Sequence, residues 1–133
     1  MYLLDTNICI YAMKNAYPSL TGKLFSIRPS EIFISSITVG ELEYGCAKSK
    51  WGDRSRGTMN LFLSAFTILP LDGEDAVWFG RLRAQLAAAG APIGPYDIQI
   101  AAQGVARGLT VITHNAGEFS RVPGLKVEDW TVS

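Results

Sequence analysis

Four acidic residues of this 133-residue chain stand at junctions between predicted strands and helices. Asp5 directly follows an apolar run, Glu41 lies on the helix after the second strand, and Asp97 starts a helix after a Gly-Pro loop. Glu118 lies five residues beyond the clearest strand. Ligands of open parallel sheets bind outside the carboxyl ends of the strands, where the strand order reverses, so one edge could gather all four side chains. Like charges held together destabilise a fold unless a cation neutralises them, so such a cluster implies a metal ion.

Each of these carboxylates also has a structural interpretation. Asp5 could cap a helix or stand in a turn, although Thr6 and Asn7 are already available as caps. Asp97 could serve only to cap its own helix, and Glu118 could be a solvated residue of a short helix. For these residues, spacing leaves both interpretations open.

The pair Glu41 and Glu43 poses a question of helix face. Position 41 shares a stripe with Ile37 and Tyr44, whereas Glu43 lies about 160° away around the helix. Spacing alone does not decide which of the two points inward.

Hydrophobic periodicity predicts the elements that must position these residues. The predicted strands are residues 2–4, 31–36, 67–69, 109–113 and 127–130. The predicted helices are residues 8–14, 18–27, 37–49, 54–66, 73–89 and 97–107. Asn7 and Asp72 are the expected N-caps of two of them, and Gly90 and Gly108 the expected stops. The alternation favours an α/β fold around a mainly parallel sheet, in one domain spanning residues 1–133.

The charge balance limits how the chain could bind nucleic acid. Twelve Lys and Arg residues offset twelve Asp and Glu residues, for a formal net charge of +0. A strongly basic binding surface needs many uncompensated cations. Any nucleic-acid contact must therefore be local.

Export and membrane insertion are not expected. No segment approaches the ~20 apolar residues that span a bilayer, and Asp5 interrupts the apolar stretch nearest the first residue. Cys9 and Cys46 lack the spacing of a zinc site or a redox pair, so we expect free, buried thiols in a reducing compartment. The sequence thus predicts a soluble, cytoplasmic protein.

Four segments of the chain resemble the signature blocks of PIN-domain nucleases, and most of all those of the VapC toxins of bacterial type II toxin–antitoxin pairs. The segments are LLDTNI at residues 3–8, SSITVGELEYG at 35–45, IGPYDIQIAA at 93–102 and VITHNAGEF at 111–119. The closing RVPGLKVEDW at 121–130 is also similar, so the resemblance extends from residue 1 to residue 130. It implies the PIN-domain α/β/α sandwich.

The resemblance also assigns roles to the acidic residues. It places the family's acidic positions on Asp5, Glu41 and Asp97, with Glu118 as the fourth, and leaves Glu43 as a surface or supporting residue. Residues expected to orient these carboxylates or to bind phosphate are Thr6, Asn7, Thr113 and Asn115.

Two positions depart from the family pattern. His114 stands where Asn is usual in the closest relatives, and its simplest role is that of a strand-end side chain without metal contact. Glu118 stands where many PIN domains have Asp, and its extra methylene is compatible with a metal contact through water.

The implied chemistry is metal-dependent hydrolysis of RNA. An all-oxygen ligand set favours Mg²⁺, with Mn²⁺ as a possible substitute, over zinc. Asp5 and Asp97 would be the principal ligands, Glu41 would bind metal or orient water, and Glu118 would complete a second metal site or the outer shell. The family resemblance implies an endoribonuclease acting on tRNA in the anticodon region, without an organic cofactor or a covalent intermediate.

A basic segment at residues 48–56 is the candidate RNA-binding surface. Its candidate residues are Lys48, Lys50, Trp51, Arg54 and Arg56. Basic side chains would contact phosphates, and an exposed Trp51 would stack on an unpaired base. The alternative is a solvated turn with Trp51 in the core.

The resemblance also implies partners. These are a second copy of the chain in a homodimer and a VapB-like antitoxin, in a heterotetramer or larger assembly. The antitoxin's C-terminal segment would cover the acidic site, and operator DNA would be bound only through the antitoxin. Candidate groove residues on the early helices, each equally explicable as core, are Ile10, Tyr11, Met13 and Phe25.

Two other functions are alternatives to the nuclease. The chain could be a scaffold of a DNA-binding regulatory complex with little nuclease activity. A phosphatase of the haloacid dehalogenase type, with Asp5 as nucleophile, would need a second Asp two residues on, where this chain has Asn7.

Overall fold

Five short strands and seven α-helices make up residues 1–132, which the computed structural model describes. The strands are β1 Tyr2–Leu4, β2 Ile32–Ser35, β3 Thr67–Leu69, β4 Thr110–Ile112 and β5 Lys126–Glu128. The helices are α1 Thr6–Met13, α2 Pro18–Ser26, α3 Ser36–Lys48, α4 Gly52–Leu63, α5 Gly73–Ala88, α6 Pro95–Arg107 and α7 Ala116–Phe119, with a 3₁₀ turn at Pro29–Glu31. Ser133, the last residue of the predicted domain, lies outside the described residues.

The strands form one sheet in the order β3-β2-β1-β4-β5, and all neighbours are parallel. The chain lays β2 and β3 on one side of β1 and then β4 and β5 on the other. The strand order therefore reverses between β1 and β4, where Leu4 pairs with Ile112. In sheets of this kind the crevice at the carboxyl end of that position is the usual ligand site.

Side chains of consecutive strand residues point to opposite faces of the sheet, and each face is covered by helices. Leu3 packs with residues of α5, α6 and α7, including Leu82, Ile100 and Phe119. Its neighbour Leu4 packs in a second core with residues of α1 to α4. Burial on both faces explains why the inner strands β1, β2 and β4 are almost continuously apolar, whereas the edge strand β5 is largely exposed and carries Lys126 and Glu128. The predicted α/β/α sandwich with a parallel sheet is confirmed.

One predicted helix cap is wrong. The helix expected at residues 8–14 with Asn7 as its cap begins at Thr6, because Asp5 accepts a hydrogen bond from the Ile8 N–H at 2.9 Å. The backbone of Asp5 is still extended, so the strand passes into the helix without an intervening loop. Asn7 consequently lies within the first turn of α1 and is exposed.

The two helices on the other face begin near their predicted positions. Asp72 caps α5 as expected and accepts from the Asp75 N–H at 2.9 Å. α6 begins at Pro95 rather than at Asp97, since proline has a suitable φ and no N–H to leave unpaired at the first helical position. Asp97 therefore lies in the first turn of α6. Gly108 ends the helix with φ of 66°, as predicted.

The two cysteines, Cys9 and Cys46, are free and buried, as the sequence predicts. Among residues 1–132, no helix is both long and apolar enough to cross a membrane.

Candidate active site

Asp5 lies at the carboxyl end of β1, beside the reversal of strand order, and only 4% of its surface is exposed. Its carboxylate accepts hydrogen bonds from the Ile8 N–H and from the Thr113 side chain. Burial nevertheless raises the pKa of Asp5, and the nearby charges of Glu41 and Asp129 raise it further. A buried acid among other acids is an unfavourable arrangement unless a cation is bound there.

Asp97 lies in the first turn of α6 and is half-buried. Its pKa is raised to about 6, first by burial and then by the charges of Asp5, Glu118 and Glu41. The other three acidic residues predicted from the sequence therefore lie within electrostatic range of Asp97.

Glu41 is oriented by two threonines from separate helices. The Thr6 hydroxyl donates to Glu41 Oε1 at 2.7 Å, and the Thr6 and Thr38 hydroxyl oxygens are 3.0 Å apart. Since a hydroxyl carries one hydrogen and Thr6 gives its hydrogen to Glu41, Thr38 must be the donor to Thr6. This relay directs Glu41 towards the end of β1.

Glu43 points away from the acidic cluster and binds Arg56 instead. The Arg56 Nε lies 3.0 Å from Glu43 Oε1, and a second guanidinium nitrogen lies 2.7 Å from the same oxygen. These hydrogen bonds lower the pKa of Glu43. The geometry therefore separates the two glutamates that spacing could not distinguish.

Hydrogen bonds from two segments fix the Glu118 carboxylate, one from the loop before α6 and one from the turn before α7. Its Oε1 accepts from the Gly94 N–H at 3.0 Å, just before α6, and its Oε2 accepts from the Asn115 side chain. The Asn115 N–H in turn donates to Thr113 Oγ1 at 2.9 Å. Thr113 thus connects Asp5 with the turn that carries Glu118.

The donor set suits a hard divalent cation. All four side chains offer carboxylate oxygens, and burial with mutual repulsion raises the pKa values of Asp5 and Asp97, which a bound cation would offset. Within residues 1–132, no three acidic, histidine or cysteine side chains are close enough to hold one ion together. Joint coordination would therefore require rotation of carboxylate side chains.

Asp129 is an acid that the sequence analysis missed. It directly follows β5, and the Thr113 N–H donates to the carbonyl of Glu128 at 3.0 Å, so Asp129 lies at the same sheet edge as Asp5. Its charge contributes to the raised pKa of Asp5. The sequence feature that could have identified Asp129 is the one that identified Asp5, namely an acidic residue directly after a strand. Because the predicted strand extended over residues 127–130, Asp129 was placed inside the strand instead of after it. In the structure β5 ends at Glu128.

Four of the five candidate RNA-binding residues extend into solvent. Trp51 is 62% exposed in the turn between α3 and α4, so the alternative with its ring in the core is wrong. The Lys50 Nζ lies 5.3 Å from the Trp51 ring centroid, and the Lys48 Nζ lies 4.8 Å from that of Tyr44. Arg54 is exposed, whereas Arg56 is held by Glu43.

Three of the four proposed groove residues line surface depressions. Phe25, 88% exposed, borders an apolar groove of about 320 Å³ with Leu24 and Phe66. Ile10 and Met13 line a neighbouring groove of about 250 Å³. Tyr11 instead packs edge-on against Tyr17 and His114.

A family model described as the PIN domain matches residues 2–125. The chain is 43% identical over 129 residues to a tRNA(fMet)-specific endonuclease VapC from Salmonella typhimurium, covering 97% of each chain. It is 37% identical over 131 residues to ribonuclease VapC2 from Rickettsia felis, covering 98% of each.

Solved structures agree with these relatives. The crystal structure of DNA-bound VapBC from Salmonella typhimurium matches with a TM-score of 0.91 and 42% identity, over 97% of each chain. VapBC2 from Rickettsia felis, bound to a DNA fragment from the promoter, matches with a TM-score of 0.91 and 36% identity, over 97% of this chain and 98% of that one.

Proposed function

Because the chain belongs to the PIN-domain family and, within it, to the VapC toxins, it is a nuclease, and we propose that it cleaves RNA with the help of Mg²⁺. The proposed substrate is tRNA, cut in the anticodon region, and the proposed role is that of the toxin in a toxin–antitoxin pair. The observation that carries the proposal is the gathering of Asp5, Glu41, Asp97 and Glu118 at one edge of the sheet, where the strand order reverses. A tRNA-specific relative at 43% identity supports the choice of substrate.

Asp5 and Asp97 would be the principal metal ligands, and Glu41 would bind the metal or orient a water. Bound Mg²⁺, or Mn²⁺ in its place, would supply a polarised water and offset negative charge in the transition state. Glu118 would complete the outer shell or a second site.

The chain's own contribution is to hold these groups in fixed directions. Thr6 orients Glu41, and the Gly94 N–H together with Asn115 restrains both oxygens of Glu118. Fixed orientation lowers a reaction barrier because the reacting groups need not be ordered during the reaction. Asn7, exposed in the first turn of α1, is available to bind phosphate.

The proposed RNA surface runs from the acidic site along α3 to the turn after it. Lys48 is seven residues beyond Glu41 on the helix, about 10 Å along its axis. Lys48, Lys50 and Arg54 would contact phosphates, and Trp51 would stack on an unpaired base. Arg56, also a candidate, would need to share its guanidinium between Glu43 and phosphate.

The proposed partners are a second copy of the chain and a VapB-like antitoxin. The two similar crystal structures are VapBC complexes bound to DNA, which supports operator binding through the antitoxin. The apolar grooves at Phe25 and at Ile10 and Met13 are candidate contacts for the antitoxin's C-terminal segment.

The decisive experiment removes one charge without removing a helix cap. Asp5→Asn keeps an N-cap residue that can still accept the Ile8 N–H, and Asp97→Asn changes an acid that caps nothing. Purified wild-type chain should cleave a tRNA pool with Mg²⁺, whereas both variants should lose cleavage at all sites mapped by sequencing RNA 5′ ends. Glu74→Gln, an exposed acid at the start of α5, is the matched control and should cleave normally.

Undiminished cleavage by either Asn variant would refute the assignment. The alternative, a scaffold for an antitoxin that binds operator DNA, predicts instead no cleavage by the wild type and no growth arrest when the chain is expressed alone.

A further inference from the structure

His114, the one histidine of the chain, lies two residues beyond the carboxyl end of β4 and is partly exposed. We propose that its Nε2 accepts a hydrogen bond from the 2′-hydroxyl of one nucleotide beside the scissile bond, and that this contact favours RNA over DNA. The inference rests on the proposed RNA cleavage and names a residue that selects the sugar.

Hydrogen bonds at Nδ1 assign the tautomer of the ring. Nδ1 lies 3.1 Å from Asp129 Oδ2 and 2.8 Å from Thr131 Oγ1. The Thr131 hydroxyl donates its hydrogen to Asp129 Oδ1 at 2.6 Å, so towards His114 it can only accept. Both neighbours of Nδ1 are therefore acceptors, and Nδ1 carries the proton. In the neutral ring Nε2 is then a bare acceptor.

The ring is held by aromatic packing as well. Tyr17 lies at a centroid distance of 5.5 Å and Tyr11 at 6.0 Å, with interplanar angles of 42° and 83°. The side chain is nonetheless 45% exposed. A histidine restrained on one nitrogen and on its ring edges, yet open to solvent, can meet a ligand without losing much conformational entropy.

Its position in the chain connects His114 with the catalytic carboxylates. The residue before it, Thr113, hydrogen-bonds Asp5, and the residue after it, Asn115, binds Glu118. Asp129, which orients the ring, lies close enough to influence the pKa of Asp5. His114 is therefore at the rim of the same sheet edge.

In its neutral form the ring, with its proton on Nδ1, presents Nε2 as an acceptor, and an acceptor at this rim pairs with a hydrogen-bond donor. RNA phosphates carry only acceptors, and the surrounding acids Asp5, Asp129 and Glu118 repel them in the absence of metal. The 2′-hydroxyl is a donor that every ribonucleotide carries and every deoxynucleotide lacks, and it is the group by which proteins distinguish the two.

The test measures whether the effect of removing the 2′-hydroxyl depends on the His114 side chain. An anticodon stem-loop RNA cut by the wild type is prepared with a single 2′-deoxy substitution at each nucleotide around the cut, and kcat/KM is measured for wild type and His114→Phe. At one position the deoxy sugar should lower wild-type kcat/KM about tenfold, the scale of one hydrogen bond. His114→Phe should lose a similar factor on the all-RNA substrate and nothing more on the deoxy substrate.

Two further variants of His114 serve as controls. His114→Gln carries an amide oxygen near the position of Nε2 and should regain sensitivity to the deoxy sugar. His114→Ala repeats the deletion without an added ring, should the Phe variant fail to fold.

A deoxy effect that is as large in the Phe and Ala variants as in the wild type would overturn the inference, as would a wild type indifferent to every deoxy substitution. A wild type that cleaves no RNA would refute the proposed function itself, so the two failures are distinguishable.

Discussion

At the scale of single residues, Asp5 both stabilises and destabilises the fold. Its carboxylate caps α1, which stabilises the helix, and it lies buried beside other acids, which raises its pKa. The cap hydrogen bond from Ile8 and a hydrogen bond from Thr113 lower the pKa and partly offset the cost of burial. The placement is explained if the site is built for a cation as well as for the fold.

The hydroxyl of Thr6 provides a prediction at this scale. Thr6→Val keeps the shape of the side chain but removes the donor to Glu41 Oε1. We expect kcat for RNA cleavage to fall about tenfold, with KM nearly unchanged, because an orienting contact to a reacting group is lost. Thr6→Ser retains the hydroxyl and should keep most of the activity. Equal kinetics of the Val variant and the wild type would mean that the relay does not orient Glu41.

At the scale of elements, α6 determines where Asp97 lies. Pro95 sets its start and Gly108 its end. A Cβ atom on Gly104 would lie 2.9 Å from a methyl of Val111 and 2.8 Å from one of Leu125, so glycine lets the helix approach the sheet closely. The first turn of α6 is thereby held at the edge where β1 ends.

Two glycine substitutions test this description of the helices. Gly108 adopts φ of 66°, so Gly108→Ala should lower the free energy of unfolding by about 1 kcal/mol. Gly80 lies inside α5, is exposed and has no atom within 4 Å of an added Cβ, so Gly80→Ala should raise it by about 0.5–1 kcal/mol. Denaturant unfolding of both variants measures the difference. Effects of the same sign would contradict the helix end at Gly108.

At the scale of the whole molecule, the net charge of +0 conceals an uneven distribution. Acids gather at the carboxyl edge of the sheet, whereas Lys48, Lys50 and Arg54 project from the end of α3, the turn after it and the start of α4, respectively. The proposed nucleic-acid affinity would therefore come from that local surface and from metal at the acidic edge.

RNA binding without metal should therefore be weak and dependent on salt. Each of Lys48→Gln and Lys50→Gln should reduce the slope of log affinity against log salt by about 0.7, the value for one phosphate contact on a single strand. Lys126→Gln, at the amino end of β5 and so at the opposite edge of the sheet, is the control and should leave the slope unaltered. Equal slopes in all three variants, measured by fluorescence anisotropy, would place the RNA elsewhere.

The sequence by itself was sufficient to predict the alternation of strands and helices, the helix cap at Asp72 and the helix end at Gly108. These features depend on periodicity and on interactions a few residues long, which are readable along the chain. The family signature blocks likewise identified the nuclease class before any coordinates. The prediction that failed at Asn7 was also local, but the strand-to-helix transition at Asp5 depends on where the neighbouring strand β4 holds it.

Tertiary structure alone decided what depends on contacts between distant segments. The order β3-β2-β1-β4-β5 brings Asp129 to the edge that holds Asp5, and the fold brings Thr113 and Asn115, the two neighbours of His114, against Asp5 and Glu118. The choice between Glu41 and Glu43 was made by Thr6 and Arg56, which lie on other helices. Spacing along one helix carries no information about what packs against it, and for that reason these assignments required the fold.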